Sequence, residues 1–344
     1  MSRTVLACRL DNIGDVVLTG PAVRAIARQA RVIMLASPSG AQVARLLPGV
    51  SEVMEFDAPW VGYQPRSVDA DSISRIVEEL RRHHVDEAVI FTSYHQSSLP
   101  LAFLLRLAGV GRITAISEDF PGSLLDVRCS YRPELHEVEQ NAEIAAAAGF
   151  PVASSDDLLL RVDVPLASEH VDDLPERYVV VHPGASVAAR ALPRELARAV
   201  CGALASDGRQ ILVTGSRHEA VDVDRIIDGL GPSVRSMAGS LTLEGLCRII
   251  ARADAVVCGN TGPAHLAAAL GTPVVEVFAP VVDPQRWRPW GVTHRLLGDA
   301  TVPCAGCRAR TCPRTEQICV DRITASDVLA ALDELVPQNR GVPA

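Results

Sequence analysis

The residues with chemistry to offer fall in a few short stretches. Asp15 closes Asn12-Ile13-Gly14-Asp15, shortly after the apolar run 5–8. A carboxylate just past a strand is suited to take a proton as a general base, and equally suited to cap the turn that follows. In the second half, His182-Pro183-Gly184-Ala185-Ser186 precedes Arg190 and Pro193, and a second stretch reads Gly215-Ser216-Arg217-His218-Glu219. A third stretch, Cys258-Gly259-Asn260-Thr261-Gly262-Pro263-Ala264-His265, ends a strand-like run and opens a helix with proline. Free N–H groups at such a helix start, at the positive end of its dipole, bind anions. Thr261 and His265 add side-chain donors. The plainer reading is a β-to-α turn that needs Gly262 for its geometry and buries His265 as a core histidine. Cys304, Cys307, Cys312 and Cys319 read C-x2-C-x4-C-x6-C, the kind of spacing found in zinc and iron–sulfur sites. Reduced structural thiols and a redox disulfide are the alternatives. Ser186 lacks the Gly-x-Ser-x-Gly surroundings of a nucleophile elbow.

The elements that would position these residues alternate in kind. Strand-like runs at 5–8, 32–36, 52–56, 88–91 and 112–116 are separated by helical patterns. One of these is expected to start near Pro21, since proline favours the first helical position; another runs from about 71 to 84, and a third from about 136 to 149. The stretch 57–70, rich in proline, glycine and aromatics, reads as a long functional loop. After a polar, proline-bounded segment the pattern restarts, with strands at 178–181, 210–214, 255–258 and 274–278 and helices at 194–206, 219–230, 243–253 and 263–270. This alternation predicts parallel sheets with helices on both faces. The expected organisation is a first domain at 1–165, a linker at 166–175, and a second domain at 176–323 that includes the cysteine segment 304–319. A C-terminal helix and tail complete the chain at 324–344. Two such domains would place a ligand cleft between the carboxyl ends of their sheets.

Composition narrows the function. The chain has 344 residues, 48% hydrophobic and 22% charged, which is globular rather than disordered. Its net charge of −8 supplies no basic field for nucleic acid, and at most peripheral contact with a membrane surface is expected. All 33 cationic side chains are arginine, which excludes a phosphate-loop lysine, a pyridoxal Schiff base and any catalytic lysine. No signal or membrane span is legible, because the apolar run 264–282 is broken by His265, Glu276 and Gly271-Thr272-Pro273. A cytoplasmic chain with mostly reduced cysteines is expected.

Taken together, the motifs resemble a family. Asn12-Ile13-Gly14-Asp15-Val16-Val17-Leu18-Thr19-Gly20-Pro21-Ala22 resembles the N-terminal signature of glycosyltransferase family 9, the bacterial ADP-heptose glycosyltransferases. Val181 to Ser186, Leu212-Val213-Thr214-Gly215, Met237-Ala238-Gly239 and the stretch from Asn260 to Pro273 look like its remaining blocks, in the same order. The resemblance implies the GT-B fold: two Rossmann-like α/β domains, doubly wound, with the acceptor on the first and the nucleotide sugar on the second. It implies an inverting transfer of heptose or a related sugar from an ADP-sugar to a glycan hydroxyl, such as the lipopolysaccharide inner core.

By the same resemblance Asp15 is the general base, with Gly14 beside it at the substrate. Arg190 stands where many members carry another cation and would contact the donor diphosphate, with Ser186 and His265 beside it. Glu219 would hold the ribose hydroxyls, Met237 would pass near the adenine, and Asn260, Thr261 and Gly262 would face the donor. Many members have Asp where this chain has Asn260. No cofactor is expected for transfer, since the Asp69–Asp71 and Asp222–Asp224 pairs fall on helical segments and not in a metal-holding loop. Trp60, Tyr63, Arg66, Tyr94 and His95 are candidate acceptor contacts. The alternatives are a nucleotide-sugar-binding protein without transfer, a transferase acting on a natural-product or protein acceptor, and a sugar epimerase of the same fold.

Overall fold

The structure is a computed structural model that describes residues 3–62, 66–93, 95–164 and 174–337. Tyr63, Tyr94 and most of the expected linker, 166–173, lie outside the described residues. The chain divides into two compact units, Met1–Asp163 and Val164–Ala344.

Unit 1 carries β1 (Thr4–Arg9), α1 (Ile13–Ala27), β2 (Arg31–Ala36), α2 (Pro38–Ala44), β3 (Val50–Glu55), α3 (Ala70–Arg82), β4 (Glu87–Ile90), α4 (Leu99–Leu107), β5 (Arg112–Ile116), β6 (Val127–Cys129) and α5 (Glu137–Ala147). Its six strands are parallel, in the order β3-β2-β1-β4-β5-β6. β1 is buried at every position because helices cover both faces of the sheet. Unit 2 carries β7 (Val179–His182), α6 (Arg194–Ser206), β8 (Ile211–Val213), α7 (Ala220–Ile227), β9 (Val234–Ser236), α8 (Leu243–Arg252), β10 (Ala255–Gly259), α9 (Gly262–Leu270), β11 (Val274–Val277), α10 (Pro284–Trp287), β12 (His294–Leu297) and α11 (Ala325–Leu335). Its sheet is also parallel, ordered β12-β11-β10-β7-β8-β9. Counted within each unit, both orders are the 3-2-1-4-5-6 winding of a Rossmann sheet. The winding reverses between the first and fourth strands, and ligands bind at the carboxyl ends there.

Two expectations need correction. The first helix starts at Ile13, and Pro21 lies inside it. A helix tolerates this proline more easily because Gly20 before it has no Cβ to meet the pyrrolidine ring. Asp15 therefore sits in the first turn of α1 and not on a free loop. The expected helix at 219–230 is a 3₁₀ turn, Arg217–Glu219, followed by the short α7. The Ser216 N–H donates to the Glu219 carboxylate at 2.7 Å, which tightens that turn. The strands β6, β9 and β12 lacked a sequence signal. Each has only three or four residues, with polar side chains among them.

Candidate active site

In unit 1 the winding reverses between β1 and β4, and the chain gathers charge there. Arg9 ends β1 and is fully buried. Its guanidinium forms ion pairs with Asp11 at 2.7 Å, Glu137 at 2.9 Å and Asp15 at 3.2 Å. It also donates to Ser93 Oγ, after β4, at 2.9 Å. The other Asp15 oxygen accepts the Asn12 N–H at 3.3 Å, so the carboxylate caps its own helix while its side chain stays 17% exposed. Burial first, and the Asp11 carboxylate second, push Asp15 up to about 7; Arg9 opposes them. A carboxyl group that titrates there can exchange a proton at neutral pH. Gly14, one residue earlier, presents one of the N–H groups that a first helical turn leaves without an intrahelical partner. Among the acceptor candidates, Trp60 packs edge-on against Phe56 with ring centroids 5.6 Å apart and lines a pocket with Thr92, Gln96 and Ser98. Arg66 pairs with Asp57 at 3.0 Å in the open, and His95 is exposed.

In unit 2 the corresponding reversal lies between β7 and β10. Three loops meet beside it. Gly184 follows β7, and a Cβ there would stand 1.9 Å from Glu219 Oε1, so the glycine lets the Glu219 carboxylate lie flat on the chain. A Cβ on Gly215 would touch both Glu219 Cβ and Ala238 Cβ, at 3.3 and 3.4 Å. The Met237 N–H donates to Val213 and the Gly239 N–H to Gly215, at 2.8 and 3.0 Å. Glu219 and Met237 to Gly239 are thereby fixed next to each other. His182 is hydrogen-bonded through Nδ1 to Thr214 Oγ1 at 3.0 Å, and burial lowers its pKa against the pull of Glu219.

Arg190 closes a 3₁₀ turn, Ala188–Arg190. Its carbonyl accepts the Asn260 N–H at 3.0 Å, and a Cβ on Gly259 would stand 2.1 Å from that carbonyl oxygen. Only glycine lets the turn rest on the end of β10. His265 is buried in α9, and burial together with nearby Arg190 pushes it down to about 4, which leaves it neutral at pH 7. Among the described residues, Arg190 Nε, Asn260 Nδ2 and His265 Nδ1 are all buried without a hydrogen-bond partner. Unpartnered buried polar atoms are costly, and here they converge at the start of α9, where Thr261 caps the helix and Gly262 and Pro263 open it. Ser186 is exposed on the same β7 loop.

The structure therefore brings together Arg190, Asn260, Thr261, Gly262 and His265, and separately Glu219 with Gly184 and Met237. Sequence reasoning missed three charged residues. Arg9 and Glu137 surround Asp15, and Glu276 lies fully buried on β11, both its oxygens unpaired, in register with Cys258. For Arg9 and Glu276 the available signal was a charge at the end of, or inside, an apolar run; Glu137, in a polar stretch, carried none.

Cys304, Cys307, Cys312 and Cys319 line a single pocket together with Ala189 and Gln317. Among the described residues no group of three or more His, Cys, Asp or Glu side chains is placed to hold a metal ion. Cys319 is buried, which raises its thiol pKa, while Cys307 is exposed. The segment grips the turn of Arg190: the Ala189 N–H donates to the Arg310 carbonyl at 2.9 Å, and Gln317 Nε2 donates to the Ala189 carbonyl at 2.8 Å. Asp69 caps α3, and Asp222 lies on α7. No helix among the described residues is long and apolar enough to cross a membrane.

Comparison with known proteins extends these observations. Lipopolysaccharide heptosyltransferase 3 of Escherichia coli is 29% identical over 170 residues, and that alignment spans 48% of each protein. Lipopolysaccharide heptosyltransferase 1 of Pseudomonas aeruginosa is 25% identical over 96% of this chain and 98% of its own. The structure of an E. coli heptosyltransferase with ADP-2-deoxy-2-fluoro heptose superposes with a TM-score of 0.71 at 21% identity, covering 96% of this chain and 99% of that one. This likeness shows the GT-B fold, with its two Rossmann-like units. The sequence profile of glycosyltransferase family 9 (heptosyltransferase) matches residues 73–317, more than half of the chain, and the chain belongs to that family.

Proposed function

We propose that the protein is an inverting glycosyltransferase that moves heptose, or a closely related sugar, from an ADP-sugar to a hydroxyl of a glycan acceptor such as the lipopolysaccharide inner core. The observation that carries this reading is the convergence of Arg190, Asn260 and His265, each with a buried unpaired nitrogen, at the start of α9. Such a set suits a diphosphate. The relative solved with an ADP-heptose analogue supports the choice of donor.

In this reading Asp15 takes the proton of the acceptor hydroxyl. The acceptor oxygen bonds to the anomeric carbon, and the bond from that carbon to the ADP oxygen breaks. Arg190, neutral His265 and the α9 N-terminus offset the charge that develops on the leaving ADP. Glu219 accepts the ribose hydroxyls, Met237 and its neighbours pass the adenine, and Ser186 and Asn260 contact the phosphates and the sugar. Arginine and the helix start take the part that a divalent cation plays in other transferases, so transfer needs no added cofactor. The protein works in the cytoplasm, touching membrane at most peripherally through a glycolipid acceptor.

The test combines ADP-heptose with a Kdo-terminated inner-core oligosaccharide and reads the product by mass spectrometry. Asp15→Asn keeps the shape but cannot take the proton, so kcat should fall by about 10²- to 10⁴-fold while ADP affinity holds. Near-normal turnover in this variant would remove Asp15 from its role. ADP binding without product from any acceptor would favour a binding protein that has lost transfer.

A further inference from the structure

The carboxylate read as the base has company that the reaction scheme does not use. One buried cation, Arg9, faces three carboxylates from three places in the chain: Asp11 from the loop after β1, Asp15 from α1 and Glu137 from α5. Glu137 is the first residue of its helix, where the dipole favours negative charge. The three are not equivalent. Asp11 lies at 2.7 Å with its side chain 7% exposed, Glu137 at 2.9 Å and fully buried, and Asp15 at 3.2 Å with 17% exposed. The loop after β4 adds Ser93 on the guanidinium and Gln96, which donates to Asp11. With one positive charge divided among three negative ones, a proton goes to the carboxylate that the cation holds least tightly. By distance that is Asp15.

Resting on the reading of Asp15 as base, we propose that Arg9 and Glu137 are positioning residues. The guanidinium sets the direction of the Asp15 carboxylate, and Glu137, by engaging Nη1, leaves Asp15 the member of the cluster that a proton can join. The upward displacement of Asp15 agrees in sign: burial leads, Asp11 and Glu137 add to it, and Arg9 opposes it.

A carboxyl-carbon NMR titration of aspartate-labelled protein with ADP bound needs no acceptor, and the Asp15 signal is assigned by its loss in Asp15→Asn. Glu137→Gln removes one negative charge while keeping the side-chain shape, and should lower the Asp15 midpoint by about one pH unit. Arg9→Lys keeps the charge but cannot reach three carboxylates at once, and should raise the midpoint. The acid limb of kcat/KM for transfer from ADP-heptose should move with the midpoint in each variant, a result that a purely structural role would not give. An unchanged circular dichroism spectrum and a cooperative thermal melt in Glu137→Gln show that the fold is kept. Should that variant fail to fold, Asp11→Asn makes the same change of charge and should shift the midpoint down in the same way. An unmoved midpoint in the folded variants overturns the proposal. Turnover that survives Asp15→Asn overturns the base reading instead, while the titration still reports on the cluster.

Discussion

Replacing Glu276 with leucine should stabilise the protein, and more so at higher pH. The carboxyl group is fully buried on β11, and among the described residues neither oxygen has a hydrogen-bond partner. Burial raises its pKa well above the ordinary value, so the folded chain keeps this proton to higher pH than the unfolded chain does. The unfolded chain releases that proton above about pH 4.3. Between those limits the unfolded state binds one proton fewer, so stability falls as pH rises, by about 1.4 kcal/mol per unit. Leucine cannot titrate, so the gain of Glu276→Leu over wild type should grow as pH rises above 5, by at most about 1.4 kcal/mol per unit. Urea unfolding at pH 5, 6 and 7, read as the difference between the two proteins, cancels the other titrating groups. Parallel pH profiles, or a loss of stability at every pH, would mean that the carboxylate is ionised and compensated, and would refute the reasoning.

Arg190→Ala should weaken ADP binding by about ten- to a hundredfold, the loss of a charge-assisted contact worth roughly 1.5–3 kcal/mol, as titration calorimetry would show. Gly259→Ala should do comparable harm without touching a donor group, because its Cβ would stand 2.1 Å from the Arg190 carbonyl oxygen; ADP affinity should drop and the melting temperature fall, and wild-type values for both would contradict the packing described. Turnover should persist in EDTA, and a loss restored specifically by Mg²⁺ or Mn²⁺ would contradict a diphosphate held by Arg190 and α9.

The winding of both sheets was legible because buried parallel strands are written as short runs of Val, Ile, Leu and Ala, and because helical periodicity between them is hard to mistake. The glycine-bearing loops of unit 2 were legible for a related reason: Gly184, Gly215 and Gly259 occur where backbone or a carboxylate approaches closely. The Arg9 cluster was not legible, since Glu137 is 128 residues from Arg9 and only tertiary packing, with α5 laid against α1, brings them together. Pro21 misled because position within a helix depends on what precedes it. Here Gly20 makes room, and the cap at Asn12 and Asp15 had already started the helix. The short edge strands left no trace, because backbone pairing to a neighbour, and not their own side chains, makes them strands.

The grip of the cysteine segment on Ala189 also gives the protein a place for a reporter. Ala189 is bonded on one side to Arg310 and on the other to Gln317, and Arg190 follows it directly in the chain. A diphosphate held by Arg190, as proposed, would lie beside a turn bonded to the stretch that carries an exposed thiol, Cys307, which lines the same pocket as Ala189. A fluorophore attached there, with Cys304 and Cys312 replaced by serine, would sit near that turn yet off the groups proposed to meet the nucleotide. Donor occupancy then becomes an optical signal, and the arrival and departure of ADP can be timed without following the sugar.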